Sequence, residues 1–481
     1  MARLVGFIAL CTVFMHCTQT SSPPIGSESK AEVSETSKSD EVISETKGGL
    51  VEGIYQIDAK KYKLPNGLTL ILSKNTKLPV FSVYTFYKVG SKHETKGMTG
   101  ASHFLEHMMF KGAKKFAQGR FDKVIESNGG SSNAYTNYDE TVYYESLPIT
   151  SLELILDLES DRMQNLLLEP KAFESEKQVV LEERKMRYEN SPRGQLYIGM
   201  MNKVFKGTPY EVPVIGTIED IKSVSRDAVF KYFKDFYAPN NAIMLVVGDI
   251  DYDKTYEMIK KYFGPIPASE ALASLKAQRE VGFESKLNKN ETDHYQGKSE
   301  NPMFTLAFPG VKYGSRDGYV GDILSSVLAG SKSSFLNKKY VEGKAPILNS
   351  ISASNYTLEN TGVFFVMGEI GKKYNLDTLK TDLLKDFKNF CSNEINDREI
   401  QKVKNKYLIH FYDELQTNAG VANYLGTLES HLGDFTKYVD EIKTYQSITT
   451  AEVKKACSEF LLSKNHYYMS VWKNNSKKLN I

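Results

Sequence analysis

The sequence has few cysteines, almost no net charge and no long apolar run. Its four cysteines, Cys11, Cys17, Cys391 and Cys457, are too few and too scattered among 481 residues for a disulfide scaffold or a thiolate zinc ribbon. The 61 basic and 59 acidic residues leave a net charge of +2 without long blocks of one sign. This balance disfavours nucleic acid and acidic membranes as partners. No segment reaches the roughly 18 apolar residues of a membrane helix, so a globular protein of several domains remains.

The first twenty residues have the layout of a secretory signal peptide. One cation, Arg3, precedes an apolar stretch over residues 4–17, and polar residues follow. The stretch is too short to span a bilayer. We therefore expect a signal peptide over residues 1–20 and export to the periplasm or cell envelope. The stretch ends at Cys17, which resembles the lipidated cysteine of a bacterial lipoprotein signal, so a lipid anchor at Cys17 is a second hypothesis.

Residues 21–54 are predicted to form a disordered tether. Between residues 25 and 53 the chain is rich in Ser, Glu, Lys and Gly and has no aromatic residue. It therefore offers too little apolar surface to offset the entropy of ordering. Its many acidic residues also disfavour a mitochondrial transit peptide, which is basic and poor in acids.

An internal repeat divides the chain into two similar halves. Residues 223–229 and 447–453 both place Ser or Thr before a predicted helix, and at the same offset the predicted strand 243–247 matches 467–471. Strands and long amphipathic helices are mixed in each half without strict βαβ alternation. The sequence therefore predicts an α+β fold of two homologous domains, each a mainly antiparallel sheet packed against helices.

The boundary between these two domains is expected in a polar connecting stretch near residues 266–290. Each half opens with a strand-like stretch, at 80–86 and at 303–308. We therefore expect an N-terminal domain over residues 55–268 and a C-terminal domain over residues 269–481.

One predicted helix in the first half carries the strongest chemical signal. Residues 101–110 include good helix formers and a Ser near the start. His103, Glu106 and His107 fall on one face of this helix, because residues three and four positions apart are neighbours. A lone histidine is usually structural, but two imidazoles one turn apart can bind one zinc ion. The carboxylate between them can take a proton from a zinc-bound water, and this H-x-x-E-H order inverts the commoner zinc-protease motif.

Such a zinc site needs a third protein ligand. The predicted helix over residues 174–185 is rich in carboxylates, among them Glu176, Glu182 and Glu183. Glu176 and Glu183 share a face two turns apart, so one can bind the metal while the other orients the site. Spacing alone does not choose among them, and a solvated face is the usual explanation of an acid-rich helix.

The motif at residues 103–107, followed by Glu183, resembles the inverted-motif zinc metallopeptidases of the pitrilysin and insulin-degrading-enzyme family. Further matching stretches, at 129–136, 209–216 and 237–249, cover most of the first half together with the motif. The half-length size resembles the branch of mitochondrial processing peptidase beta subunits and bacterial two-subunit homologues.

This resemblance implies one Zn²⁺ per chain, with His103, His107 and Glu183 as its ligands. It also implies Glu106 as the general base and Glu176 as the supporting carboxylate of the catalytic site. A peptide substrate is implied to pair as an extra strand along a predicted edge strand. The residues implied for this pairing are Asn133, Ala134 and Tyr135. For Asn133, a turn is the structural alternative.

The second half departs from the complete enzyme. Its helix equivalent to the zinc helix falls on residues 322–329 and has neither histidine nor glutamate. Full active sites of the family also use an Arg and a Tyr ahead of a strand that resembles residues 350–354. Here that arginine is absent, and Asn349 stands at the tyrosine position. We therefore expect a homologous partner subunit that supplies the Arg and Tyr and encloses a chamber.

The sequence thus predicts a zinc-dependent endopeptidase that hydrolyses peptides or unfolded polypeptides in that chamber. Two alternatives stay open: a non-catalytic scaffold subunit of the same fold, and a peptidase specific for one class of precursor. The export signal favours a scavenger of exported peptides over a processing enzyme. Cys391 and Cys457 can pair in an oxidising compartment or remain two buried thiols.

Overall fold

The computed structural model describes residues 42–51, 53–279, 282–371, 375–462 and 464–473, whose strands form two large sheets and one small two-stranded sheet. The predicted signal peptide, with Cys17, lies outside the described residues. The strands are β1 (Ser44–Thr46), β2 (Gly49–Val51), β3 (Ile54–Gln56), β4 (Ala59–Lys63), β5 (Thr69–Lys74), β6 (Val80–Tyr87), β7 (Ser131–Thr136), β8 (Thr141–Pro148), β9 (Ala242–Gly248), β10 (Glu291–Gln296), β11 (Met303–Pro309), β12 (Leu348–Thr357), β13 (Gly362–Ile370) and β14 (Tyr467–Trp472). The α-helices are α1 (Ala101–Met108), α2 (Arg120–Ser127), α3 (Leu152–Asn165), α4 (Pro170–Arg184), α5 (Pro192–Val204), α6 (Ile218–Ser223), α7 (Arg226–Phe236), α8 (Tyr252–Phe263), α9 (Leu272–Arg279), α10 (Arg316–Ala329), α11 (Phe335–Tyr340), α12 (Leu376–Asn389), α13 (Asp397–Glu414), α14 (Asn418–Leu432), α15 (Tyr438–Ser447) and α16 (Thr450–Cys457).

The first half builds a seven-stranded sheet in the order β1-β4-β5-β9-β6-β8-β7. Its neighbouring strands are antiparallel except β5 and β9, which run parallel with Thr69 opposite Ile243. The central strand β9 is apolar and buried along its whole length, as expected of a strand covered on both faces. β7 lies at one edge, so its outer backbone groups have no strand partner within the described ranges.

The second half repeats this topology in a five-stranded sheet, β10-β14-β11-β13-β12. Its one parallel pair, β10 and β14, has Glu291 opposite Tyr467 and corresponds to the parallel pair of β5 and β9 in the first sheet. The strands β5-β9-β6-β8-β7 of the first sheet therefore correspond one by one to those of the second. This order confirms the predicted fold class of two homologous, mainly antiparallel sheets packed against helices. α10 lies where α1 lies in the first half, between the second and third of these strands in chain order, and it has neither His nor Glu.

Each of the two large sheets is covered on one face by helices of its own half and on the other face by helices of the other half. α14 of the second half packs on β6 and β9 of the first sheet, where Leu425 shares a buried cluster with Phe86 and Leu245. In return, α5 of the first half packs on β11 and β14 of the second sheet, where Leu196 is buried beside Met469. Each buried side chain of this size contributes about 1.5–3 kcal/mol. The exchanged helices therefore join the two halves through shared cores.

The predicted tether extends less far than expected, because residues 44–51 form strands. β1 pairs with β4 so that Glu45 lies opposite Lys60. The hydroxyl of Thr46 also donates to the carbonyl of Ile57 at 2.6 Å. Backbone pairing with β4 and this side-chain hydrogen bond hold the strand without a large apolar surface, which is why composition did not reveal it. Residues 21–41 lie outside the described residues.

Three other predictions concern membrane helices, the domain boundary and the cysteine pair. No helix among the described residues is both long and apolar enough to cross a membrane. The domain boundary at 268 and 269 stays a prediction, and Leu272 of α9, just beyond it, packs into the first core. Cys391 and Cys457 are joined as a buried disulfide with their Cα atoms 5.5 Å apart, which answers the question that the sequence left open.

Candidate metal centre

Helix α1 presents His103, Glu106 and His107 on one side, and its other side is packed in the first core. The residue before the helix is a glycine without a capping side chain. The carboxylate of Glu94 takes its place and accepts the amides of Gly100 and Ser102 at 2.6 and 2.7 Å. The two imidazole rings lie one turn apart and meet edge to face, with centroids 4.7 Å from each other and an interplanar angle of 64°. The sequence spacing therefore places two imidazole donors side by side on the helix.

Glu183, one residue before the end of α4, completes a three-residue cluster. Its Oε2 lies 3.7 Å from Nε2 of His103 and 3.3 Å from Nε2 of His107. One ligand atom from each of the three residues lies within 4.8 Å of the others. Two imidazoles and one carboxylate form a donor set that zinc enzymes use, with a fourth position left for water or substrate. His103 is buried, whereas the side chains of His107 and Glu183 keep 21% and 14% of their exposure, so the cluster opens to solvent on one side.

Glu176 lies behind the second imidazole. Its Oε1 lies 2.9 Å from Nδ1 of His107, and its Oε2 accepts the ammonium of Lys111 at 2.8 Å. Although burial opposes the charged form, the bonds to His107 and Lys111 keep the pKa of Glu176 below its ordinary value. A carboxylate in this place fixes the tautomer and direction of a metal-binding ring. His103 lacks such support: its Nδ1 is buried and has no hydrogen-bond partner in the described part of the chain.

Glu106 lies in the buried wall of the cluster. Its side chain is 9% exposed, and its Oε2 accepts the hydroxyl of Thr136 at 2.6 Å. Burial raises the pKa of Glu106 to about 7, and the hydrogen bond from Thr136 offsets part of that rise. A carboxyl group with a pKa near neutrality can both accept and return a proton at physiological pH.

The pKa values of the three clustered residues are shifted in different directions. Burial, together with the neighbouring His107, lowers the pKa of His103 to about 3. Burial also disfavours charged His107, but its bonds to Glu176 and Glu183 outweigh this and raise its pKa to about 9. The pKa of Glu183 falls to about 2 because His107, His103 and Arg187 together outweigh its burial. The cluster therefore holds an ionised Glu183 and a neutral His103, both in the form that a divalent cation requires, whereas His107 would have to release a proton to bind one.

The three residues predicted to bind substrate lie on β7, at the free edge of the first sheet. Asn133 lies within β7 opposite Tyr144, so the turn alternative is wrong; its side chain is exposed, and its Oδ1 accepts the amide of Ala134 at 2.8 Å. Ala134 is buried toward α1. Tyr135 points to the opposite face of the sheet, where its hydroxyl lies 3.4 Å from Oδ1 of Asn423 in α14. The geometry therefore offers backbone groups at this edge, whereas the ring of Tyr135 is turned away from the cluster.

Three contacts of the cluster were not anticipated from the sequence. Thr136 holds Glu106, Lys111 holds Glu176, and Arg187 pairs with Oε1 of Glu183 at 2.9 Å. Arg187 follows Glu183 by four residues, which is a spacing that brings side chains together on a helix. That signal was available, whereas the contact of Thr136 depends on how β7 packs against α1. Glu182, the alternative ligand, is 68% exposed and pairs with Lys185.

The donor set, the open side and the buried acid one turn from the imidazoles together define the class of zinc metallopeptidases with an inverted motif. Residues 70–218 match the family model described as insulinase, peptidase family M16, and residues 223–407 match that of the peptidase M16 inactive domain. The chain therefore belongs to peptidase family M16, and its size places it in the half-length branch, as the resemblance implied.

Individual relatives agree with this assignment. Over 404 residues the chain is 28% identical to the zinc protease PqqE of Helicobacter pylori, which covers 82% of this chain and 89% of that protein. It is 23% identical over 411 residues to the mitochondrial-processing peptidase subunit beta of Blastocladiella emersonii, at 84% and 86% coverage. The crystal structure of a protease from Helicobacter pylori matches with a TM-score of 0.80 and 26% identity, over 87% of this chain and 100% of that one.

Proposed function

We propose that this chain is a zinc-dependent endopeptidase that hydrolyses peptides or unfolded polypeptides inside a chamber formed with a partner subunit. The observation that carries the proposal is the convergence of His103, His107 and Glu183 beside the buried carboxylate of Glu106. A scaffold subunit needs no such convergence. The names of the relatives support zinc as the metal.

The proposed ligands are His103, His107 and Glu183, with one Zn²⁺ per chain. A zinc ion bound there would supply Lewis-acid chemistry to a peptide carbonyl and lower the pKa of a water molecule. Glu106 is the proposed base: Thr136 holds its Oε2, so its Oε1 would accept a proton from the water and return it to the leaving amine. Glu176 is the proposed supporting carboxylate, since it fixes the ring of His107.

The proposed substrate is a peptide in extended conformation along β7. The outward amide of Ala134 is bonded to the side chain of Asn133, so a peptide carbonyl would displace that side chain to form a strand hydrogen bond. Backbone pairing of this kind selects for unfolded or flexible chains more than for a particular sequence.

The proposed partner is a homologous subunit that carries the missing Arg and Tyr. Asn349 is exposed at the start of β12 and donates to Oε1 of Glu369 at 2.9 Å. An amide in this place cannot provide the phenolic donor of a tyrosine. A subunit of the same fold can enclose the open side of the cluster and supply the donors that a tetrahedral intermediate requires.

Export to the cell envelope is proposed as the location, with lipidation of Cys17 as an unresolved part of that proposal. The disulfide between Cys391 and Cys457 supports export, because structural disulfides persist mainly in oxidising compartments.

The decisive experiment measures zinc and turnover separately on the isolated chain. We expect about one zinc per chain by mass spectrometry, loss of the metal in His103→Ala and retention of it in Glu106→Gln. Cleavage of a panel of unrelated unfolded peptides should be slow without the partner and abolished by Glu106→Gln. Absence of zinc from folded protein would contradict the enzyme proposal. Fast cleavage by the isolated chain would contradict only the requirement for a partner.

A further inference from the structure

The structure assigns Arg184 as a positioning residue that fixes the place of Glu183 relative to the two imidazoles through the backbone carbonyl of Gly216. This inference rests on the proposed metal site and extends it to a residue outside the cluster. The side chain of Arg184 bonds to none of the three proposed ligands. It acts through the loop before α6, which packs against the segment before α1.

A positioning residue is needed because the proposed ligands lie on two separate helices. His103 and His107 belong to α1, whereas Glu183 belongs to α4, a separate stretch of the chain. Bond lengths at a zinc site are fixed to within about 0.2 Å. The end of α4 must therefore be held firmly against α1, and packing of apolar side chains alone allows small sliding movements.

Arg184 is the next residue after Glu183 and is 1% exposed. Its Nε donates to the carbonyl of Gly216 at 3.0 Å, and its Nη1 pairs with Oε1 of Glu189 at 2.7 Å. A buried guanidinium is costly unless it is well paired, so these two bonds define its direction. The last residue of α4 is thereby tied to a loop far along the chain.

The loop at Gly216 lies directly against the residue before α1. Gly216 and Gly100 both have positive φ, at 82° and 89°. A Cβ at position 216 would lie 2.2 Å from the carbonyl oxygen of Thr99, and one at position 100 would lie 2.5 Å from that of Ile215. The two backbones are therefore in contact without space for a side chain. Glu183, Arg184, Gly216 and Gly100 form a continuous line of contacts that ends at α1.

Asp220 anchors this loop from its other end. Its Oδ2 accepts the amides of Gly97 and Thr99 at 3.1 and 3.0 Å and the hydroxyl of Thr99 at 2.6 Å. The amide of Thr217 also donates to that hydroxyl at 3.1 Å. Three acceptor contacts on one carboxylate fix the segment before α1 and the loop as one unit. Movement of Arg184 is thus transmitted to the metal cluster rather than absorbed by a flexible turn.

Arg187 acts differently and provides a contrast. It pairs directly with Oε1 of Glu183 and lies in a π-helical turn, Lys185–Glu189, with its side chain 38% exposed. It therefore orients the carboxylate group alone. Arg184 instead fixes the backbone position from which that carboxylate extends.

The test compares zinc binding in full-length variants. Arg184→Lys keeps the positive charge for Glu189 but loses the planar Nε donor to Gly216. We expect about 10- to 100-fold weaker zinc binding, measured by competition with a chelator, and a changed visible spectrum of the cobalt-substituted protein, with the circular dichroism of a folded chain. Lys185→Ala, at an exposed neighbouring position, is the matched control and should leave both readouts unchanged.

A second variant keeps the inference falsifiable if Arg184→Lys does not fold. Glu189→Gln removes only the outer partner of Arg184, at a side chain that is 33% exposed, and should weaken zinc binding in the same direction. Native zinc affinity in a folded Arg184→Lys chain, or in Glu189→Gln if the former is unfolded, would overturn the role of Arg184. Failure of the unaltered chain to bind zinc would instead overturn the proposed function.

Discussion

The hydroxyl of Thr136 donates a hydrogen bond of 2.6 Å to Oε2 of Glu106. Thr136 is the last residue of β7, whereas Glu106 lies in the middle of α1. The strand that is proposed to bind substrate and the proposed base are therefore linked by a hydrogen bond. A peptide that pairs with β7 would act on the strand that also fixes the carboxylate, so binding and orientation of the base are coupled.

Replacement of Thr136 by valine removes this bond and keeps the shape of the side chain. Because a hydrogen bond to a charged group contributes about 1.5–3 kcal/mol, we expect kcat to fall about 10- to 100-fold while zinc content stays native. Peptide cleavage in the presence of the partner is the measurement. Thr69→Val, the same substitution on β5 away from the cluster, is the control, and equal rates in the two variants would show that Thr136 does not position the base.

Glu176→Gln should weaken zinc binding by about 10- to 100-fold, because the neutral amide holds the ring of His107 less firmly than the carboxylate does. Chelator competition on the purified chain measures this change. Glu182→Gln alters an exposed acid of the same helix and should have no effect. Weaker binding in Glu182→Gln but not in Glu176→Gln would reverse the two assignments.

Asp139 lies at the contact between the two halves, and its charge affects the stability of that contact at low pH. Its carboxylate pairs with Lys92 at 3.0 Å and accepts the hydroxyl of Tyr210 at 2.7 Å and the amide of Glu359 at 3.0 Å. Burial disfavours its charged form, but these partners outweigh burial and hold the pKa of Asp139 below its ordinary value. Its stabilising contribution is therefore complete above the ordinary aspartate pKa and is lost as pH falls through the lowered pKa.

Asp139→Asn should accordingly lower the free energy of unfolding at pH 7 by about 1.5–3 kcal/mol, because charge-assisted hydrogen bonds to the carboxylate are lost while Lys92 keeps its ion pair with Glu359. The variant should also lose part of the acid dependence seen in the native chain. Urea unfolding at pH 7 and at pH 3 measures both effects. Glu257→Gln, an exposed acid on α8, is the control, and an equal slope with pH in native and Asp139→Asn chains would contradict the assignment.

Loss of the disulfide should destabilise the second half. Cys391 and Cys457 close a loop with a sequence separation of 66, for which chain-entropy reasoning gives about 4 kcal/mol. The double variant Cys391→Ala/Cys457→Ala should unfold at lower urea concentration than the oxidised native chain. A reducing agent should shift the native chain and leave the double variant unchanged. Insensitivity of the native chain to reduction would indicate that the bond does not contribute in solution.

The local part of the site was predictable because it depends on short spacings. His103, Glu106 and His107 face one way on any helix, and the matching strands of the two halves stand out because both are apolar and equally offset. Glu183 required the family resemblance, since spacing within α4 did not separate it from Glu182. Burial then distinguishes the two, and burial is a tertiary property.

The contacts that hold the site rigid were not predictable for the same reason. An apolar stripe on α14 indicates that the helix packs on something, but it does not say on which sheet. Arg184 bonds to Gly216, which lies in a loop whose path depends on a glycine with positive φ. Thr136 contacts α1 only because β7 forms the sheet edge beside that helix.

The reciprocal placement of α5 and α14 has a consequence for how the chain can be made. A gene cut between α9 and β10 would encode two fragments. Each would expose one apolar face of its sheet and one helix without the sheet on which it packs. Such fragments would precipitate when synthesised separately and would recover only as a complementing pair. The two halves must therefore meet during folding before either core can close.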